Sequence, residues 1–572
     1  MPSGIRDPRS GIRVVDAGDS GLLLELEATI DPAVNAHAIA IASAVAAEHR
    51  AGVRDVIPAF RSVAVHFDPL VADVGALREA LRRAADTAPA ARDGALVEVP
   101  VAYGGEDGPD LDEVAAFAKL PPAAVVERHC GTEYRVFMLG FLPGFAYLGT
   151  VDTAIAAPRK ATPRTRIPAG SVGIAGRQTG IYPRQSPGGW QLIGRTAVTV
   201  FDPLREPASL FAPGDRVKFV AAAGIRDQGS GIKNIGAADA GSSGAFDPRS
   251  LIRDPYRHVT VLEPGLFTTI QDSGRWGHQD RGVPVAGPMD RRSHRLANAL
   301  VGNPPGAATL EATLLGPELR FEHPVRVAIA GADLGASIDG TAIGADSMRA
   351  CGAGSVLRFG ERRRGTRAYI AFDGGIDVPL LLGSRATHVA SELGGIDGRA
   401  LKAGARLQLC ESNAGGRSAT VRRGSFESAT GGARLRIMRG PQDEYFDEAA
   451  FDILQRTRFV ISPQSDRMGY RLVGSERTRP AVVGRPGPSG PGVMISDATF
   501  MGGLQIPPSG EPILLMADRQ TTGGYPQIAT VITADLPLAG QLAPGEWIEF
   551  VLCTRSEAIA ALKEQEEALR GI

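Results

Sequence analysis

Between His129 and Gly176 the sequence gathers one histidine with Arg159, Lys160, Arg164 and Arg166, in a stretch punctuated by Gly140, Gly144, Gly149, Gly170, Gly173, Pro143, Pro158, Pro163 and Pro168. Glycine lets backbone approach a ligand closely and proline fixes φ, so such loops make rigid site walls. Cations in a wall of this kind hold a phosphate, carboxylate or carbamate through charge-assisted hydrogen bonds. His129 is the expected proton carrier or anion partner. The competing reading makes His129 a core residue and the arginines loop braces.

The second half repeats this concentration of polar groups three times. "TTIQDSGRWGHQDRGVPVAGPMD" carries Gln271, Asp272, Arg275 and Asp290 between glycines; "SDRMGYRL" carries Asp466 and Arg467; "ADRQTTGGYPQ" carries Asp518, Arg519, Gln520 and Tyr525 around Gly523 and Gly524. The last set follows the apolar run "PILLMA", where a strand would deliver Asp518 and its neighbours to a pocket. A structural Asp–Arg pair closing a barrel rim is the equal alternative.

Two short segments say nearly the same thing. "SPGGWQLIGRT" begins at Ser186 and "TTGGYPQIATV" at Thr521, each with paired glycines, an aromatic and then an apolar residue three positions on. A duplicated module is expected, and the N–H groups around Gly188, Gly189, Gly523 and Gly524 are candidates to meet an oxyanion or phosphate. Phosphate loops of the GxxxxGK[ST] type, HExxH and GxSxG are missing, and no metal site is expected. "GSSG" at 241–244 is a product of linker composition.

These residues need elements to position them. Residues 1–93 read as a small α+β domain: "GLLLELE" and "SVAVHFD" are strands, and "AVNAHAIAIASAVAAEHRA" and "VGALREALRRAADTA" are helices, an order that suits a ferredoxin-like or related two-layer domain. Residues 94–220 are short apolar runs broken by Gly and Pro, the pattern of a β-barrel, with one helix at "DLDEVAAFAKL" stopped by "PP". Residues 221–257 are rich in Gly, Ala, Ser and Asp and read as a linker. Residues 258–572 form a longer β-rich region, with helices at "DRRSHRLANALVG", where Asp290 caps and Gly302 stops, at "DEAAFDILQRT" and at "RSEAIAALKEQEEALR". The expected class is mainly β with α+β.

The chain has 572 residues, enough for several cores, with 62 basic against 63 acidic residues and a net charge of -1. No global field attracts nucleic acid or an anionic membrane, so neither is an expected partner. Four dispersed cysteines form no CxxC pair, and no signal peptide or span is legible, which makes the cytoplasm the expected compartment.

"GFLPGFAYL", "IPAGSVGIAGRQTGIYP" and "SPGGWQLIGRT" resemble the B subunit of 5-oxoprolinase, also called allophanate hydrolase subunit 1. "PGLFTTIQDSGRWG", "LEATLLGPEL", "SDRMGYRL" and "ADRQTTGGYPQIATVITADL" resemble the C subunit of the same enzyme, or allophanate hydrolase subunit 2. The chain is thus similar to a fusion of the two, covering nearly everything outside the first dozen residues and the linker. The same modules resemble the carboxyltransferase region of urea carboxylase in the opposite order. The resemblance implies two cyclophilin-like β-barrels with a cleft where the halves face each other. It implies ATP-dependent opening of 5-oxo-L-proline to L-glutamate, with ATP and Mg as the nucleotide cofactor, a separate 5-oxoprolinase A-subunit homologue as partner, and a homo-oligomer as a further expectation. His129, Lys160 and Asp518 are then the expected catalytic residues, with the remaining cations, Gln271, Asp272, Asp466, Gln520, Tyr525 and the paired glycines as binding residues. Two alternatives stay open: carboxyl transfer to urea or a related amide from biotin on a separate carrier, and regulatory binding to a histidine kinase.

Overall fold

The computed structural model describes residues 12–89, 93–222, 257–412, 431–475, 479–482 and 493–570. The expected linker lies almost wholly outside them.

The N-terminal unit runs strand, strand, helix, strand, strand, helix. Its sheet has the order Arg13–Asp16, Gly21–Glu25, Ser62–Phe67, Val53–Pro58, with every neighbouring pair antiparallel. This corrects the ferredoxin-like expectation, which requires a βαββαβ order. Arg13–Asp16 and Gly21–Glu25 form a hairpin before the first helix, so no crossover separates them. The helices Pro32–Ala47 and Val74–Thr87 are started by Asp31 and Asp73, whose carboxylates accept from first-turn N–H groups. They cover one face of the sheet through Ala38, Ile41, Val45, Leu77 and Leu81. The other face is also covered: Val15, Leu23, Ile57 and Ala64 pack against Ala498 and Phe500 of the second half.

Both expected barrels are present, each closed by seven strands. The first comprises Leu96–Tyr103, Glu133–Leu139, Ala146–Gly149, Ser171–Ala175, Gln178–Ile181, Gln191–Arg195 and Arg216–Ala221. The second comprises Gly432–Arg439, Phe459–Ile461, Gly469–Val473, Gly503–Gln505, Ile513–Leu515, Gln527–Val531 and Trp547–Leu552. Numbered along the chain, both close in the same order: first, seventh, second, third, fifth, fourth, sixth. In both, the first and last strands are parallel. Each barrel also carries a two-stranded flap, Arg164–Ile167 with Ser186–Gly188 and Asp497–Ala498 with Thr522–Gly523. The two glycine-pair segments therefore sit at equivalent places in two copies of one topology.

Residues 258–409 form a further unit of two sheets. A six-stranded sheet containing His258–Glu263 and Glu318–Phe321 faces a five-stranded one built on Val325–Asp333 and Arg364–Phe372, with Val261, Leu310, Leu319, Ile329 and Ile370 between them. The helix Arg291–Val301 covers the outer face of the five-stranded sheet through Leu296, Ala297 and Leu300. Asp290 caps it by accepting from Ser293 N at 2.9 Å, and Gly302 ends it at φ 80°. No helix among the described residues is long and apolar enough to cross a membrane.

Candidate functional site between the halves

The Asp-Arg-Gln segment leaves the strand Ile513–Leu515 with its first two side chains on different tasks. Asp518 turns inward and accepts from Arg467 Nε and Nη2 at 2.9 and 2.8 Å. Arg467 also donates to Gly287 O at 2.7 Å and to Glu311. Glu311 in turn accepts from Met289 N at 2.9 Å and the Tyr369 hydroxyl at 2.6 Å. Burial alone would raise the Asp518 carboxyl, but the Arg467 guanidinium outweighs it and holds the group below the usual range. Arg467 itself is raised by Asp518 and Glu311 against the opposing effect of burial. The network is a buried tie between the second barrel and the sheet unit. His388 sits over it with Nε2 3.4 Å from Asp518 O; its Nδ1 accepts from Ser391 N, which places the ring proton on Nε2.

The neighbouring motif residues brace loops. Asp272 accepts from Ser384 Oγ, Arg385 N and Gly274 N, and Gln271 donates to Thr387 O at 3.0 Å. Arg275 is fully buried and donates to Leu381 O and Ala386 O at 2.8 and 2.9 Å, burial pushing it down to about 10. Asp466 caps its own turn through Met468 N, and Tyr525 is partly exposed. Gln520 accepts from Thr499 through its backbone carbonyl.

In the first barrel, the helix Leu111–Ala118 ends before the "PP" pair, which also starts a second helix, Pro122–Gly131, that carries His129: Pro121 is its cap and Pro122 its first residue. The imidazole is wholly buried, stacked 4.6 Å from Phe219, with Nδ1 2.7 Å from the Tyr103 hydroxyl and Nε2 2.9 Å from Thr179 Oγ1. Burial lowers it to about 3. Both nitrogens are engaged in the barrel core and neither faces a cleft. Lys160 and Arg164 converge on one buried carboxylate, Asp110, at 2.9 and 2.6 Å, and Asp110 also accepts from Leu192 N at 2.7 Å. Arg166 donates to Gln185. Arg159 is exposed, and its charge acts on the phenols of Tyr147 and Tyr182, which burial otherwise raises. Gly188 pairs with Arg164 across the flap and Gly189 O accepts from Lys160 N at 2.8 Å. The second flap repeats this: Gly523 pairs with Asp497 and Gly524 O accepts from Met494 N at 2.9 Å.

The halves meet along a continuous polar and apolar seam. Phe141 N donates to Thr522 Oγ1 at 3.2 Å, Gly144 N to Arg281 O at 2.9 Å, and Ser62 Oγ to Asp497 at 2.5 Å. Arg13 joins Glu25 to Asp443, and Arg555 reaches Asp16 at 2.6 Å. Asp55, buried in the N-terminal sheet, accepts from Gly277 N, Gln279 N and Gln279 Nε2, and Gln279 Oε1 accepts from Arg519 Nη2 at 2.9 Å. Beside that relay a cleft of about 420 Å³ opens between Arg54, His66 and Phe67 on one side and Trp276, Arg291 and Arg519 on the other. Of these, only Arg519 was legible as a candidate. His66 lay in a strand read for its alternating pattern, Asp55 in a neighbouring stretch given no element, and Asp110 at a helix start read for its acidic residues.

Residues 12–211 match the carboxyltransferase domain, subdomain C and D, and residues 281–552 match the carboxyltransferase domain, subdomain A and B. The second half is 36% identical over 308 residues to the 5-oxoprolinase C subunit of Escherichia coli, covering 95% of that protein and 54% of this chain. The first half is 43% identical over 220 residues to the 5-oxoprolinase B subunit of Bacillus subtilis, covering 92% of that protein and 36% of this chain. The crystal structure of TTHA0988 aligns with 93% of this chain and 99% of its own at a TM-score of 0.78 and 36% identity. The urea carboxylase of Kluyveromyces lactis aligns with 56% of this chain and 29% of its own, at a TM-score of 0.52 and 30% identity. With both halves matched nearly end to end and docked through one seam, the chain belongs to the family of 5-oxoprolinase B and C subunits, with the two joined in a single polypeptide.

Proposed function

We propose that this chain is the B–C component of an ATP-dependent 5-oxoprolinase in the cytoplasm, opening 5-oxo-L-proline to L-glutamate with a separate A-subunit homologue. The observation that carries the reading is the seam: modules that match separate B and C subunits are docked here so that Arg519 of one and Arg54 and His66 of the other border one cleft, with Gln279 tying Arg519 to Asp55 beside it. A lactam amide resists hydrolysis, and ATP supplies the driving force for its activation. The contribution of this chain is to hold anionic groups and exclude water, with guanidinium donors fixed before the substrates arrive. Asp518 is proposed to act by position, keeping the segment before Arg519 in place, and Lys160 by tying the first barrel's loop to Asp110.

The test is glutamate release from 5-oxoproline and ATP with this chain alone, the A-subunit homologue alone, and the two mixed. Activity confined to the mixture supports the assignment; no activity with both proteins folded removes it. The carboxyltransferase matches favour a second reading, carboxyl transfer from a separate biotin carrier to an amide. That reading expects bicarbonate-dependent, carrier-dependent product and no glutamate.

A further inference from the structure

We propose that the cleft between the N-terminal sheet and the second half binds the polyphosphate of a nucleotide, with Arg291 and Arg519 as its principal cations. The choice of a nucleotide rests on the oxoprolinase reading; the anion site stands on geometry alone. Six arginines line the cleft against two carboxylates, Asp68 and Glu566. Both acids are spent: Asp68 pairs with Arg54 at 2.6 Å and Glu566 with Arg295 at 2.8 Å. Arg519 is 3% exposed, yet its partners are the neutral Gln279 amide and Thr499 carbonyl, and its Nη1 makes no hydrogen bond among the described residues. Arg291 is half-buried and makes neither an ion pair nor a hydrogen bond among them.

A guanidinium withdrawn from water without a direct ion pair is costly, and a site that keeps one buried and one half-buried beside one cavity is built for an anion that arrives with the ligand. Desolvation holds both down to about 10, so both remain charged at neutral pH. His66, also lining the cleft, has an unpartnered buried Nε2 and is kept neutral by burial and by Arg519 and Arg54. Its ring lies 4.6 Å from Phe500 and 6.4 Å from Trp276, which gives the cleft an aromatic wall beside the cationic one. The volume of about 420 Å³ is in the range of small-molecule sites and exceeds what a lone lactam carboxylate needs. Arginine donors with an aromatic wall suit a polyphosphate carrying a base.

The experiment is calorimetric titration of the full chain with Mg·ATP and, separately, with tripolyphosphate, for wild type, Arg291→Gln, Arg519→Gln and the surface control Arg456→Gln. Both ligands should bind in competition, more weakly at higher salt. Each cleft variant should loosen binding by about 10- to 100-fold, the loss of a charge-assisted hydrogen bond, with the control unchanged. If Arg519→Gln fails to fold by thermal melting, Arg291→Gln decides. The proposal is overturned if the folded wild type binds neither ligand at millimolar concentration, if tripolyphosphate does not compete with ATP, or if binding survives in the folded cleft variants. Glutamate release without nucleotide binding to this chain would overturn the cleft assignment and leave the oxoprolinase reading intact. Binding without glutamate release would do the reverse.

Discussion

Arg467 spans both carboxylate oxygens of Asp518, at 2.9 and 2.8 Å, with both side chains less than a tenth exposed. A bidentate pair in such surroundings is strong only while both members are present, because either one alone is a buried, uncompensated charge. Asp518→Ala and Arg467→Ala should each lower stability by about 3–5 kcal/mol, read as a shift in the denaturant midpoint. The double replacement Arg467→Met with Asp518→Leu should cost less than the two single effects added. Glu311 limits that relief, since it also accepts from Arg467. A double variant no better than the sum would show that the two residues are not energetically coupled.

His129 is expected to act on stability rather than on proton transfer. Burial holds it neutral down to about 3 and holds His294 neutral down to about 4, against 6.5 for a free imidazole. As pH falls below 6.5 the unfolded chain takes up protons that the folded chain does not. The stabilising contribution is therefore complete above pH 6.5 and is lost on acidification at about 1.4 kcal/mol per pH unit for each ring. Between pH 6.5 and 5 the expected loss is about 2 kcal/mol per histidine. His129→Gln should be less stable at pH 7.5 and should lose less on going to pH 5. Its rate in the reconstituted mixture at pH 7.5, below its melting temperature, should stay within about threefold of wild type. A drop of about a hundredfold or more, the size general acid–base catalysis supplies, would restore a catalytic role.

Lys160 and Asp110 separate by exposure. Lys160 and Arg164 are a fifth to a quarter exposed, whereas Asp110 is buried and also holds Leu192 N. Lys160→Met should change stability by no more than about 1 kcal/mol. Asp110→Ala should cost about 1–3 kcal/mol, because a buried N–H loses its acceptor along with the two cations. If Lys160 also meets substrate, kcat/KM of the mixture falls while the melting temperature of Lys160→Met stays near wild type. Unchanged kinetics would confine the lysine to loop bracing.

Particular residues show what the sequence could and could not carry. The glycine pairs at 188–189 and 523–524 were readable as a duplication from their shared spacing, and both lie at flaps of equivalent barrels, where a Cβ at Gly188 or Gly523 would crowd Tyr182 or Gln505. The strand "SVAVHFD" alternates polar and apolar residues, which reads as one wet face. Instead Ser62 and His66 face the second half, bonded to Asp497 and packed on Phe500. Alternation reports two chemically different faces and is silent on whether water or another domain covers the polar one. The same limit hid Asp55 and Arg291, whose importance arises only when segments more than two hundred residues apart meet. His129 was drawn toward chemistry by its glycine-rich neighbours, although a helix after "PP" placed it in the barrel core.

The seam should hold the halves together without a covalent link. Gly140 is where it is tightest: a Cβ added there would lie 2.1 Å from Thr522 Oγ1 and 2.8 Å from Thr522 Cβ. No relaxation within one barrel removes that overlap, because Gly140 and Thr522 belong to different halves. Produced as two polypeptides, 1–222 and 257–572, the halves should co-elute as a one-to-one complex on size exclusion. Gly140→Ala should weaken that complex by about 1–3 kcal/mol, the usual penalty of overpacking. Thr522→Gly should restore part of the loss in the Gly140→Ala background while weakening the complex by itself, since Phe141 N then loses its acceptor. Halves that elute separately at micromolar concentration would mean that the covalent connection, rather than the seam, keeps the cleft assembled.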